Sequence, residues 1–260
     1  MAGIGGGVLF VPLASSFFPF HIDFVRGTGL FIALGSSLAA APHLLEKNLA
    51  SLKLAMPSAL VASTFAIIGA FLGLWLSALN PAYIQGSLGV TIIGIVFIML
   101  FAKNSEHPAV THGNYLTELL QINGIYTEET TGKEVRWTVH NTTKGMFGFV
   151  IVGLLAGIFG LGAGWANVAI LNLVMGAPVK VAVATSSFAL SITDSTAAWI
   201  YMNKGAVLPI LTVPSMVGIM LGAKIGSKLL PKVKPSVIRN MVIGVLFFAG
   251  VRSLMKAFGI

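Results

Sequence analysis

The chain has 260 residues, 56% hydrophobic and only 9% charged, which leaves too little polar surface to coat a soluble globule and excludes a soluble enzyme. The net charge of +8 excludes less: residues 103–144 hold five of the eight acids but four of the sixteen bases, so the excess sits in the apolar remainder, where Lys and Arg flank membrane segments and meet anionic headgroups. The lipid bilayer is thus the expected partner and nucleic acid is not, while the absence of cysteine removes disulfides and thiolate chemistry.

The chain opens on a glycine-broken apolar segment over 1–18, where Gly3, Gly5, Gly6 and Gly7 crowd into five positions and destroy helix propensity. No basic region precedes it, so it reads as mature membrane segment and not as a signal peptide. Helices are expected near 25–45, 50–76 and 82–101, the last entered through Pro81, where a missing N–H costs least. Residues 103–144 are polar and form an aqueous linker. Within it Tyr126, Val135, Trp137 and Val139 alternate around Thr130-Thr131-Gly132-Lys133, a spacing that predicts a small hairpin, read as a cytoplasmic cap. A second glycine-broken segment over 145–176 precedes helices near 178–202, 206–230 and 236–258.

The two halves are copies. Gly3-Ile4-Gly5-Gly6-Gly7 matches Gly160-Leu161-Gly162-Ala163-Gly164 at an offset of 157, and the same offset sets Thr28 on Thr185, Phe31 on Phe188, Lys47 on Lys204, Pro57 on Pro214 and Gly69 on Gly226. The helix ahead of the second cluster has no counterpart ahead of Gly3, so the first copy is expected to be N-terminally truncated. Basic residues gather in different loops of the two copies: Lys47 and Lys53 between the second and third elements of the first, but Lys224, Lys228, Lys232, Lys234 and Arg239 between the third and fourth of the second. Both patterns fit one rule of topology if the glycine-broken segment is re-entrant, leaving three true crossings per copy and inverting one relative to the other. The expected fold is therefore an all-α integral membrane protein of two tandem, inverted repeats of about four helical elements each. Each repeat begins with a glycine-broken, re-entrant or discontinuous element. Repeat one covers 1–102, the aqueous linker 103–144 and repeat two 145–260.

Broken backbone at membrane depth must line a cavity or meet a partner, and an interrupted helix presents a partly positive N-terminus suited to an anion. The candidate substrate-binding residues are accordingly Gly5, Gly6, Gly7 and Thr28 in one copy and Gly162, Gly164, Asn167, Thr185, Ser186 and Ser187 in the other. Hydroxyls in membrane helices commonly bond their own backbone, and Ser36, Ser37 and Thr193 are open to that reading too. Asp194 is the carboxylate within a predicted crossing, where an unpaired charge costs at least a few kcal/mol. It is the candidate coupling residue, for a proton or sodium, with a structural hydrogen-bonding role as the alternative. Its counterpart is Ser37, so the feature is not duplicated. Arg26 and Lys180 read either as anion attractants at the mouths of the breaks or as ordinary topology signals, and Trp165, Trp199 and Tyr201 as core or interface-belt residues. Hydrolytic motifs are lacking: the sequence carries neither a His-Glu-x-x-His pair nor a Gly-x-Ser-Gly segment, His107, His112 and His140 are scattered through the linker, and no catalytic residues, metal or cofactor are expected.

The segments GIGGGVLFVPL from Gly3, GLLAGIFGLGAG from Gly153 and VKVAVATSSFALSITDSTAAWIYMNKGAV from Val179 resemble the TauE/SafE family of sulfite exporters and related permeases, over essentially the whole chain. The resemblance implies export or uptake of sulfite, sulfonates or other small sulfur-containing anions, driven by an ion gradient. It departs where Ala163 stands in place of the glycine that the first copy keeps as Gly6. The reading is a multi-pass secondary transporter of the cell membrane working by alternating access. An anion channel and a non-transporting membrane assembly factor are the alternatives, and self-association into a homo-oligomer stays open.

Overall fold

The structure, a computed structural model, describes residues 6–46, 49–101, 115–127, 134–162, 164–229 and 235–259. Gly3 to Gly5, Lys47, Thr130 to Lys133, Ala163, Lys232 and Lys234 lie outside them. Ten helices and one hairpin make up the described fold. The first half comprises α1 (Gly7–Phe17), α2 (Ile22–Glu46), α3 (Leu52–Leu79) and α4 (Pro81–Phe101), the linker α5 (Tyr115–Leu119), β1 (Asn123–Thr127) and β2 (Glu134–Thr138). The second half comprises α6 (Thr142–Phe159), α7 (Gly164–Ala169) running into a π-helical turn Ile170–Val174, then α8 (Val179–Asn203), α9 (Pro209–Leu229) and α10 (Pro235–Ala257). Among the described residues five helices, within α2, α3, α4, α6 and α10, are long and apolar enough to cross a bilayer. This is an all-α membrane protein.

Helix starts and stops follow local chemistry. Pro81, Pro209 and Pro235 open their helices at the position where a proline loses no hydrogen bond, and the Asn80 side chain accepts from the Ala82 N–H at 2.9 Å. Gly160, with φ +65, ends α6, and its N–H donates to the Ala156 carbonyl at 2.9 Å. Helix α6 starts at Thr142, where the buried Thr142 hydroxyl meets that of Thr117 at 2.7 Å. The short α5 that carries Thr117 was not foreseen. Antiparallel pairing runs from Asn123 opposite Thr138 to Thr127 opposite Glu134. Buried Ile122 and Val139, at the base of this hairpin, join Leu54, Phe149, Leu171 and Met175 in one apolar cluster.

Helix bounds recur at the offset read from the sequence: α1 over 7–17 corresponds to 164–174, α2 over 22–46 to 179–203, and the start of α3 at 52 to the start of α9 at 209. α2 and α8 lie antiparallel, as do α4 and α10. Arg26 near the start of α2 stands over the Tyr201 ring near the end of α8, whereas Ser51, beyond the end of α2, reaches Thr185 near the start of α8. Along α4 and α10, Gly86 faces Ala257 while Ile93 faces Gly250. Between α3 and α6 the backbones touch: a methyl group on Gly69, Gly153 or Gly157 would overlap the carbonyl of Leu154, Ala62 or Ala66 respectively. Packing through small residues replaces the hydrophobic drive that lipid cannot supply.

Candidate functional site

The segments on either side of Gly160 and Gly162 pack back on each other. The His140 N–H donates to the Met175 carbonyl at 2.8 Å, Gly145 lies against Met175 and Gly148 against Ile170, so α6 runs in and α7 with its π turn runs back. Between them the chain passes through Gly160 and Gly162, both in the left-handed region (φ +65 and +61), which side chains other than glycine rarely adopt. The break is tightly surrounded. A methyl group at Gly162 would fall 2.5 Å from the Ala33 Cβ and 3.4 Å from Asp194 Oδ2, placing the break against the middle of both α2 and α8.

The start of α1 meets it there. A methyl group at Gly7 would lie 2.5 Å from the Leu161 carbonyl oxygen and 2.9 Å from that of Gly29, and one at Gly29 would lie 2.6 Å from the carbonyl of Gly160. Gly6 sits between Ile32 and Ile219. The start of α1 and the second break are therefore in contact, while Gly5 falls outside the described residues.

Asp194 is fully buried, and neither carboxylate oxygen has a hydrogen-bond partner among the described residues. Asn167, on α7, is buried with Oδ1 likewise unpartnered. Ser186 donates to the Gly164 carbonyl at 3.3 Å, tying α8 to the first residue of α7. Other hydroxyls are spent locally: Ser187 bonds the Val183 carbonyl, Thr193 that of Ala189, Ser36 that of Ala33 and Ser37 that of Leu34. Thr28 and Thr185 face away from the break, each toward the opposite half. Thr28 Oγ1 meets Thr212 Oγ1 at 3.0 Å at the start of α9, and Thr185 Oγ1 accepts from the Ser51 N–H at 3.1 Å at the start of α3. The recess beside Gly162 is apolar, lined by Thr91, Ile95, Val152, Leu155, Ala156 and Ala166 with Leu161.

Two contributors lay outside the candidate set. Arg26 is fully buried, and its Nη1 donates to the Ile158 carbonyl at 2.7 Å in the last turn of α6, where a cation suits the exposed carbonyls. Tyr201 donates from its hydroxyl to Gly157 at 3.0 Å, and Ile158 O lies 3.3 Å away. The signal for Arg26 was present: Asp23 stands three residues earlier, on the same face of the helix, and the two side chains form an ion pair.

The family model for the sulfite exporter TauE/SafE matches residues 1–253. The chain belongs to the TauE/SafE family. No curated protein and no solved structure matches it. Members of the TauE/SafE family are transporters and not enzymes, and the family points to a small sulfur-containing anion as substrate. In this TauE/SafE protein the described residues form no group of three or more His, Asp or Glu able to hold a metal ion.

Proposed function

We propose that this protein is a secondary transporter that carries a small sulfur oxyanion, such as sulfite or an organosulfonate, across the cell membrane by alternating access. Its two inverted repeats, 1–102 and 145–260, are joined by the aqueous segment 103–144. The antiparallel courses of α2 and α8, and of α4 and α10, support the inversion, since corresponding helices of inverted copies must run in opposite directions.

The observation that carries the reading is the convergence of Gly7, Gly162 and Asp194, with the break against the middle of α2 and α8. Interrupted backbone there frees amides for an oxyanion, the first turn of α7 having no helical acceptors for its N–H groups. Gly6, Gly7, Gly162, Gly164, Asn167 and Ser186 form the anion site in this scheme, with Gly5 as the counterpart of Gly162 in the first copy. Ser187 turns into the binding space only if it gives up its Val183 bond, and Thr28 and Thr185 act by holding the two halves together.

A carboxylate beside an anion site is tolerable only when it carries a proton or a cation. Asp194 therefore couples the two: the anion enters when Asp194 is loaded with a proton or sodium, and both travel together. The test is uptake of labelled sulfite, sulfate, thiosulfate and taurine into proteoliposomes by the wild type and Asp194→Asn. The wild type should saturate and respond to an imposed proton or sodium gradient, and the variant should lose that response. Unchanged gradient dependence in Asp194→Asn removes the coupling role. Unsaturable conductance identifies a channel, and absence of flux for every anion leaves a membrane assembly role.

A further inference from the structure

Arg26 lies one turn into α2 with no side-chain surface exposed, an expensive place for a cation. Its partners account for part of its charge. Nη1 bonds the Ile158 carbonyl at 2.7 Å, Nη2 bonds the Gly73 carbonyl at 3.3 Å and pairs with the Asp23 carboxylate, and the guanidinium stands 5.4 Å from the centre of the Tyr201 ring. Nε has no partner among the described residues. The Arg26 backbone carbonyl lies against Gly160, so the cation stands where the chain leaves α6 and enters the break. From there to Ala33, which faces Gly162, is seven residues of helix, or about 10 Å deeper.

Exposure falls steadily along this approach. The side chain of His21 is 49% exposed, that of Asp23 is 19% exposed at 3.6 Å from the His21 Nδ1, and that of Arg26 is closed off. Among the described residues Asp23 is the carboxylate on the guanidinium, and it is the more exposed member of the pair. We infer that Asp23 holds the place of the substrate: an entering sulfur oxyanion displaces the Asp23 carboxylate from Arg26 and is passed from this mouth to the glycine break. The chemistry matches, because carboxylate and sulfur oxyanion both present paired oxygens to the planar guanidinium fork. Exchanging one anion for another also keeps the buried cation paired throughout, avoiding the large cost of stripping it. The second copy has Lys180 and Val183 at the matching positions, so this device belongs to one mouth.

The inference rests on the transporter reading, and sulfite binding to detergent-purified protein, by titration calorimetry beside proteoliposome flux, tests the two separately. Asp23→Asn removes the internal competitor and should tighten sulfite binding and lower KM by about tenfold, the scale of one hydrogen bond to a charged group. Asp23→Glu, which keeps the carboxylate, should stay near wild type. Arg26→Lys, which keeps the charge but loses the fork, should raise Kd and KM by about tenfold. Should Asp23→Asn fail to fold, the contrast between Asp23→Glu and Arg26→Lys decides. Sulfite affinity that is the same in Arg26→Lys as in wild type, or weakened in Asp23→Asn, overturns the exchange. Binding with these shifts but no flux would leave the site standing and remove the carrier, whereas no sulfite binding by the wild type would remove both.

Discussion

Gly162 and Gly205 share a left-handed backbone, with φ +61 and +68, and differ in what surrounds them. A methyl group at Gly205 meets nothing within 4 Å, so Gly205→Ala measures the backbone cost alone, about 1–2 kcal/mol for an L-residue in that region. At Gly162 the same methyl falls 2.5 Å from the Ala33 Cβ, an atom with no rotamer to turn aside. Overpacking of that kind adds about 1–3 kcal/mol, for a total of about 2–5 kcal/mol. Thermal unfolding of the two purified variants in one detergent should therefore rank Gly162→Ala well below Gly205→Ala. Flux of labelled sulfite at a temperature where both remain folded should be lost in Gly162→Ala and kept in Gly205→Ala. Equal destabilisation would refute the contact between the break and α2, and normal flux from folded Gly162→Ala would refute placing the break on the substrate path.

The crossed hydroxyl contacts give a second expectation. Thr28→Val leaves the Thr212 hydroxyl without its partner and Thr185→Val leaves the Ser51 N–H without its acceptor, each at a cost of about 1–3 kcal/mol. Because the contacts lie toward opposite ends of the α2–α8 pair, the double variant should lose the sum to within about 0.5 kcal/mol in unfolding experiments; a larger coupling would contradict their independence. The third concerns assembly. Gly157→Leu drives a side chain into the Ala66 carbonyl and should abolish a monodisperse peak in size-exclusion chromatography, while Gly218→Leu, with open space around it, should elute as wild type. A monodisperse Gly157→Leu would refute the close crossing of α3 and α6.

Glycine and proline made the helical order legible, because both act on backbone geometry wherever they stand. α2 was expected over 25–45 and runs from 22 to 46, and α8 was expected over 178–202 and runs from 179 to 203. The hairpin followed from alternation within one short window. Side-chain destinations were harder, since spacing along one helix says which residues share a face and not which helix stands opposite. Thr28 and Thr185 were grouped with the breaks because they follow them closely in sequence, yet their hydroxyls are taken by the starts of α9 and α3. Arg26 resembled a topology signal, since a base near a helix end looks the same whether it reaches outward to headgroups or inward to the end of α6. The contact between Asp194 and Gly162 joins residues on separate elements and needed the fold to be seen.

The hairpin has a consequence for handling the molecule. Ile122 and Val139 at the base of its strands share a cluster with Leu171 and Met175 of the returning segment, and His140 is bonded to Met175 directly. The hairpin is thus rooted on the element that leads back from the break. Antibody fragments or fluorescent labels attached to the strands would act as a lever and a reporter, coupled through His140 and Met175 to the segment that follows the break.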